Sequence, residues 1–454
     1  MTKKTYYKII MFFLVTAFVQ MFFMTNGSAP FAHSAEKASP VAPAAGKIPV
    51  YEAIIKLAAA FDKASADRAA GYQIETAEAD EETLKILEEK LGDRAPAYEI
   101  MLSIAGGLPA MFKPLTAGER EFVFKNFNTG SLRLSVKLIA GCAKFLAVKG
   151  KCIPASGALF TACLLALDLE SAAPAGPGGG SLLTKMVSVA CQKICFETLI
   201  RVILNGGFNE KYCVNFYKTF EFIDGSQIPL SKTMAGELAG IKSVIAAYAS
   251  LDAERVRELK DPVYPPEVFA VVSAEIKKSP FAVRVARLYA GEAEAQIGGI
   301  FSMYNEAFKK PYKEAAAIFD TIDKNFREGK YNNFFTQICI PNMGRANWQV
   351  VRNAAVSDMA RTAVLLKLYK IANGKFPEKL SDLSKAPAGL KVPKDRFSGE
   401  DLIYRRLADD RFVLVSVGPD MRAGSGYDEK NGLPEPPLAS TDDIVMNEKH
   451  IMIK

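Results

Sequence analysis

Apolar residues recur at helical spacing along most of the chain. Val50, Ile54, Ile55, Leu57, Ala58 and Phe61 form one stripe, and Leu84, Ile86, Leu87 and Leu91 form another, each with the three-to-four rhythm of an amphipathic helix. Thr116 and Glu119 have the spacing of a capping box, in which hydroxyl and carboxylate each satisfy an otherwise orphan backbone N–H, so a helix is expected to begin there. A long pattern from Ser181 through Leu204 meets Asn205-Gly206-Gly207, residues that tolerate positive φ and so end helices. The Pro- and Gly-rich run 172–180 before it reads as a hairpin connection. It is not a phosphate-binding turn, because no strand precedes it and no Gly-Lys-Ser/Thr follows. Further helical patterns cover 235–258, 281–309, 312–328 and 343–373. There is no fixed-period repeat and a single tryptophan, Trp348, which predicts an irregular helical bundle or degenerate helical solenoid over 49–342.

The rhythm changes after Asn373-Gly374. Gly374-Lys375-Phe376-Pro377 closes the last long helix, and Glu378 to Leu383 predicts a short helical turn. Leu402 to Arg406 and Arg411 to Val417 then read as strands, with Asp409-Asp410 in the polar turn of an antiparallel hairpin. The stretch from Gly418 to Ser440 is rich in Gly, Pro and Asp and reads as loop, after which Ile444-Val445-Met446 can return as a last strand. The expected fold class is therefore mainly α, with a small α+β domain of a few antiparallel strands over 343–454.

The first 35 residues do not fit that pattern. Lys3, Lys4 and Lys8 accompany an apolar run from Ile9 to Met24, and a polar, small-residue region with Asn26, Gly27 and Ser28 follows, so residues 1–35 read as a signal peptide or N-terminal anchor. Ala32-His33-Ser34 places small residues where a signal peptidase needs them, and either reading exports the chain to the periplasm or cell envelope. Residues 36–48, rich in Pro, Ala and Ser, read as a flexible tether. In an oxidising compartment seven cysteines leave at least one thiol unpaired, and spacing does not fix connectivity. Cys142 and Cys163 sit in apolar helical contexts, which favours buried free thiols over disulfides, and Cys191 and Cys195 have no further Cys or His nearby to complete a zinc set. The net charge of +7 comes without any nucleic-acid recognition signature, so no nucleic-acid partner is expected. The basic run Lys309-Lys310-Pro311-Tyr312-Lys313 reads as a solvated helix junction.

Several short motifs occur in a telling order: the helix with Ala363 to Tyr369, Asn373-Gly374-Lys375-Phe376-Pro377, Leu380 and Leu383, Pro393-Lys394-Asp395-Arg396-Phe397-Ser398-Gly399, Tyr404, and Val415-Ser416-Val417-Gly418-Pro419-Asp420. Together, over about 343–446, they resemble the globular part of the major pseudopilin of type II secretion systems. The helical region, with Leu164 to Asp168, Glu197-Thr198-Leu199, Pro311 to Ala315 and Ile340 to Met343, is similar to uncharacterised exported proteins of planctomycete-like bacteria that carry such a module. The pseudopilin resemblance implies a calcium site in the last loop, where Asp420, Asp428 and Asp443 are the candidate ligands and Asp442 a further carboxylate. Two departures limit it. Met421-Arg422-Ala423-Gly424 replaces the Gly- and Asp-rich turn, and the N-terminal segment lacks the leader and early Glu by which pseudopilins assemble into filaments.

Histidine is confined to His33 and His450, so Ser-His-Asp, Cys-His and His-ligated metal chemistry have no histidine in the body of the fold. The expected function is an extracytoplasmic, non-catalytic scaffold or interaction protein with protein partners in the cell envelope, touching the membrane only through a retained N-terminal segment. Two alternatives are an accessory of a type II secretion or pilus-like system and a carboxylate-based hydrolase, although no motif marks a carboxylate pair.

Overall fold

A computed structural model describes residues 48–64, 89, 95–113, 116, 119, 129–172, 181–259, 265–385, 389–421, 444–447 and 451–453. The expected signal or anchor, all of the tether but Ile48, and most of the Leu84–Leu91 stripe lie outside them. Ile48, the last residue of the expected tether, is buried and leads directly into the first helix.

The first group of helices is α1 (Pro49–Ala64), α2 (Ala95–Met111), α3 (Thr129–Val148), α4 (Cys152–Ala172), α5 (Leu182–Asn205) and α6 (Glu210–Ser226). Helix α4 packs against α2, α3 and α5 at once. That position explains its composition. The stretch Cys152–Ser171 has a mean hydropathy of 1.8, long and apolar enough to cross a membrane, yet more than half of it is buried inside the protein. A helix with neighbours on every side keeps no polar face. Thr116 and Glu119 form the reciprocal capping bonds expected of them, Thr116 N–H donating to Glu119 Oε2 at 2.8 Å and Glu119 N–H to Thr116 Oγ1 at 3.3 Å.

The second group is α7 (Leu230–Ala249), α8 (Ala253–Arg257), α9 (Pro266–Lys277), α10 (Pro280–Ala307), α11 (Tyr312–Arg327) and α12 (Phe334–Cys339). Its core gathers Met234, Ile245, Ile297, Ile300, Phe301 and Phe319. The single helix expected over 235–258 is in fact two. Leu251 takes a φ of 55°, and the Asp252 carboxylate accepts from Glu254 N–H at 3.0 Å to start α8 afresh. Helix α9 was not anticipated, although Pro265-Pro266 is a helix-start signal.

Helix α13 (Met343–Asn373) joins the two groups. At 31 residues it spans about 46 Å. Met343 and Ala346 belong to the second core, whereas Ala355 through Leu368 lie in the main one. It ends at Gly374, whose φ of 76° lets its N–H reach Lys370 O at 2.8 Å.

A 3₁₀ turn over Leu380–Lys385 leads to an antiparallel sheet in the order β1 (Ile403–Ala408), β2 (Arg411–Ser416), β3 (Ile444–Asn447) and β4 (Ile451–Ile453). The expected hairpin is present around Asp409-Asp410, Ile444 to Met446 returns as β3, and β4 is an addition. Phe412, Leu414, Ile444 and Met446 point into the main core, and Val413, Val415 and Val445 form a small cluster on the opposite face. The main core thus takes in Ile48 through Ile223 and Ala355 through Met446 as one cluster. A mainly helical protein with a small antiparallel sheet is the architecture observed.

One stop signal works differently from its sequence reading. Helix α5 ends at Gly206 with a φ of −75°, an ordinary value, so positive φ is not what the glycine supplies. It supplies space, because a Cβ there would overlap the Phe208 ring and the Val202 carbonyl.

The rings of Phe160 and Phe196 each lie 5.4 Å from Phe220, which is fully buried. Phe220→Ala is expected to cost about 3–5 kcal/mol in urea denaturation, the range for emptying a packed aromatic site. A loss below about 1 kcal/mol would contradict this core.

Candidate functional site

Three places concentrate chemistry outside ordinary core and surface. The first is a buried polar relay. Lys185 on α5 and Glu170 on α4 pair at 2.9 Å with each side chain only 1% exposed. The same Glu170 oxygen accepts from Ile228 N–H at 2.6 Å, and Lys185 also donates to Gln227 Oε1 at 3.2 Å. Gln227 Nε2 donates to Gln192 Oε1 at 3.2 Å, and Asn353 Nδ2 on α13 donates to that oxygen at 2.8 Å. The chain of bonds ties α4, α5, the α6–α7 turn and α13 together. Breaking an ion pair at such depth leaves an uncompensated charge, so the relay fixes how these helices meet.

The second place is the junction with the C-terminal module. Asp358 on α13 is almost fully buried and accepts hydrogen bonds from the guanidiniums of Arg361, one turn on, and Arg396. Arg396 reaches Asp224, near the end of α6, at 2.7 Å as well. Burial pushes the Asp358 carboxyl above the usual carboxylate range, while the bonds from Arg396 and Arg361 pull it back. Arg361 also lies 5.7 Å from the Tyr217 ring, and the Tyr217 hydroxyl donates to Lys391 O at 2.6 Å.

The motif residues beside Arg396 act locally. Asp395 is buried and accepts from Phe397 N–H at 2.7 Å and Val417 N–H at 2.9 Å, pinning the 394–400 turn to the end of β2. Phe397 meets Tyr312 edge-on at 4.8 Å, Phe376 meets Phe412 at 4.9 Å, and the Tyr404 hydroxyl donates to Pro377 O at 2.8 Å. The ordered motifs of 374–420 are therefore brought together in space.

The third place is at the surface. The end of α9 and the start of α10 form an open groove of about 650 Å³ lined by Lys277, Pro280, Val283, Arg284, Arg287 and Leu288. Among the described residues no carboxylate pairs with Lys277, Arg284 or Arg287. Leu288 in the groove is exposed, as are Phe281 elsewhere on α10 and Val268 and Val271 on α9.

The residues singled out by sequence are only partly in view. Asp420 lies on an exposed turn after β2, and Asp428, Asp442 and Asp443 lie outside the described residues, as do His33 and His450. Calcium takes six to eight oxygens, so Asp420 alone does not make its site. All seven cysteines are free. Burial pushes the thiols of Cys142 and Cys191 up to about 12 and those of Cys213 and Cys339 up to about 11, and raises Cys195, which neighbours Cys163, well above its ordinary value. Within the basic run, Lys310 lies 3.7 Å from Glu306 and 3.6 Å from Glu314, as befits a solvated helix junction. Sequence reading missed Glu170, Lys185 and Asp358, and named Arg396 only as part of a motif, without its acidic partners. The available signal was a single charge inside an otherwise apolar helical pattern, as with Asp358 between Val356 and Ala360.

No family model matches the chain, and no curated protein or solved structure matches it either. The class that fold and sites define is a mainly helical protein whose long last helix carries a small antiparallel sheet, with its buried charges used as internal ties.

Two outcomes follow from this chemistry. Lys185→Met alone is expected to cost about 3–5 kcal/mol in denaturant titrations, because Glu170 is stranded, whereas Lys185→Met with Glu170→Leu should recover most of that loss. Equal losses in the single and double variants would show that the pair is not coupled. In native protein at pH 8, a disulfide thiol reagent should modify half-buried Cys152 and Cys339 first, and the five buried cysteines only on unfolding. Fast labelling of more than two thiols would overturn that assignment.

Proposed function

We propose that the protein is an exported, non-catalytic scaffold or protein-interaction protein of the cell envelope, carrying a C-terminal module of pseudopilin type. The observation that supports this most is the use of charge in the core. Among the described residues the fully buried carboxylates are Glu170, Asp358 and Asp395, and they are already bonded to Lys185, to Arg361 and Arg396, and to backbone N–H groups; Glu197, raised by burial, is beside Lys193. A carboxylate-based hydrolase would need such groups facing a cleft. Here they hold helices and module in fixed relation, which suits a body that presents surfaces to partners.

A second reading, an accessory of a type II secretion or pilus-like system, draws support from the packing of the motif residues of 374–420 beside a long helix and antiparallel strands. Calcium, held by Asp420 with Asp428 and Asp443, would pin the loop that follows β2.

Cell fractionation and affinity purification from periplasmic and membrane fractions, with and without a calcium chelator, test these readings. The scaffold reading expects the chain outside the cytoplasm with a reproducible set of protein partners. The accessory reading expects components of the secretion apparatus among them, and the calcium site expects chelation to release partners or lower the melting temperature. Recovery from the cytoplasm, or a purified chain that turns over a substrate, would remove the scaffold reading.

A further inference from the structure

From the α9–α10 hairpin we infer a second attachment point: its apolar and basic face docks on an anionic lipid surface. The inference rests on the envelope location proposed above but concerns a different part of the molecule from the C-terminal module.

Phe281, Arg284 and Leu288 stand at i, i+3 and i+7 on α10 and so share one face, with Phe281 59% and Leu288 65% exposed. On α9, Val268, Val271 and Val272 recur at i, i+3 and i+4, and Val271 is 68% exposed. The inward stripes of these helices are separate. Phe269 and Ser273 on α9, and Ala290, Ala293 and Ile297 on α10, are the buried positions. Each helix thus carries two apolar faces, one turned to the core and one to solvent. Exposed apolar residues gathered on neighbouring elements, unlike isolated ones, mark a contact surface.

Charge selects the occupant. Lys277, Arg284 and Arg287 line the groove beside Leu288, and none meets a described carboxylate. Of the local acids, Glu275 is engaged by Lys278, Glu294 by Lys242, and Glu292, one turn beyond Leu288, by the amides of Gln296 and Asn333, while Glu267 lies at the far end of α9. An identical face from a second copy would bring like charges together, which disfavours self-association. The groove is open and shallow, whereas a protein partner gains most from enclosed pockets that seat anchor side chains. Apolar side chains rimmed by Lys and Arg, without a deep cavity, instead match a lipid interface, where the apolar groups enter the acyl boundary and the cations sit among anionic headgroups.

The test is partitioning of the full chain onto vesicles of phosphatidylcholine alone and of phosphatidylcholine with 30% phosphatidylglycerol, followed by sedimentation. The N-terminal segment carries Lys3, Lys4 and Lys8 and favours anionic vesicles by itself, so the comparison of wild type with charge-reversed variant isolates the hairpin's share. Binding should be at least about tenfold stronger on the anionic vesicles and weaken in 0.5 M salt. Arg284→Glu/Arg287→Glu and, separately, Leu288→Ser should each lower binding to anionic vesicles at least severalfold, with circular dichroism and melting temperature unchanged because these positions are exposed. Equal binding of the wild type to both vesicle types, or full binding by the charge-reversed variant, overturns the inference. So does binding of an acidic polyglutamate peptide without vesicle binding, which would assign the face to a protein. If the charge-reversed variant loses vesicles yet keeps its envelope partners, both readings stand; if vesicle binding fails in the wild type while partners persist, only the lipid inference falls.

Discussion

Helix α13 enters the protein so deeply that its polar residues cannot be left to solvent. Asn347, Arg352, Asn353, Ser357, Asp358, Arg361 and Thr362 are all buried along it. A buried charge or amide without a partner costs more than most single contacts return, so each such residue constrains what stands beside it. Asn353 demands Gln192 on α5, and Asp358 demands Arg396 from the C-terminal module. Lys367 is partly buried, which lowers its ammonium pKa, and it donates to Leu204 O at 2.9 Å, closing a carbonyl at the end of α5 that the helix itself leaves open. These bonds tie α5, the end of α6 and the segment before the sheet to this one helix.

That constraint explains why the module and the helical body share a core rather than meet across a linker. The change of hydrophobic rhythm near Gly374 is real, because helix gives way to strand there. It is a change of secondary structure inside one packed body. The α13 residues that the motif order ties to the module, Ala363 to Leu368, are the same ones that face α5 and α6. A periodicity reading sees which residues want burial, but it does not see which elements will bury them.

The same distinction accounts for what was and was not legible beforehand. The Val50–Phe61 stripe, the Thr116–Glu119 cap, the Gly374 stop and the Asp409-Asp410 hairpin are local signals, set by residues within a turn or two of each other, and the folded chain keeps them. The break at Leu251 was missed because a leucine with positive φ has no sequence signature; tertiary packing imposes it. Glu170, Lys185 and Asp358 carry no local sign of their partners, because pairing across 15 to 38 residues depends on a topology that spacing does not encode. The groove charges were passed over for the opposite reason. Arg284 and Arg287 look like ordinary solvated residues, and only the exposure of Leu288 and Val271 beside them gives them meaning.

Among the described residues the buried carboxylates Glu170 and Asp358 each meet a cation, and even the half-exposed Arg396 holds two acids. At the α9–α10 hairpin the matching lapses, and the lapse coincides with apolar side chains that the fold has buried elsewhere whenever a neighbouring helix allowed it. Either feature alone is common on a protein surface. Their coincidence over the same two helices requires an environment that supplies negative charge and apolar cover together. Water with its counter-ions supplies only the first, and a second copy of this face only the second.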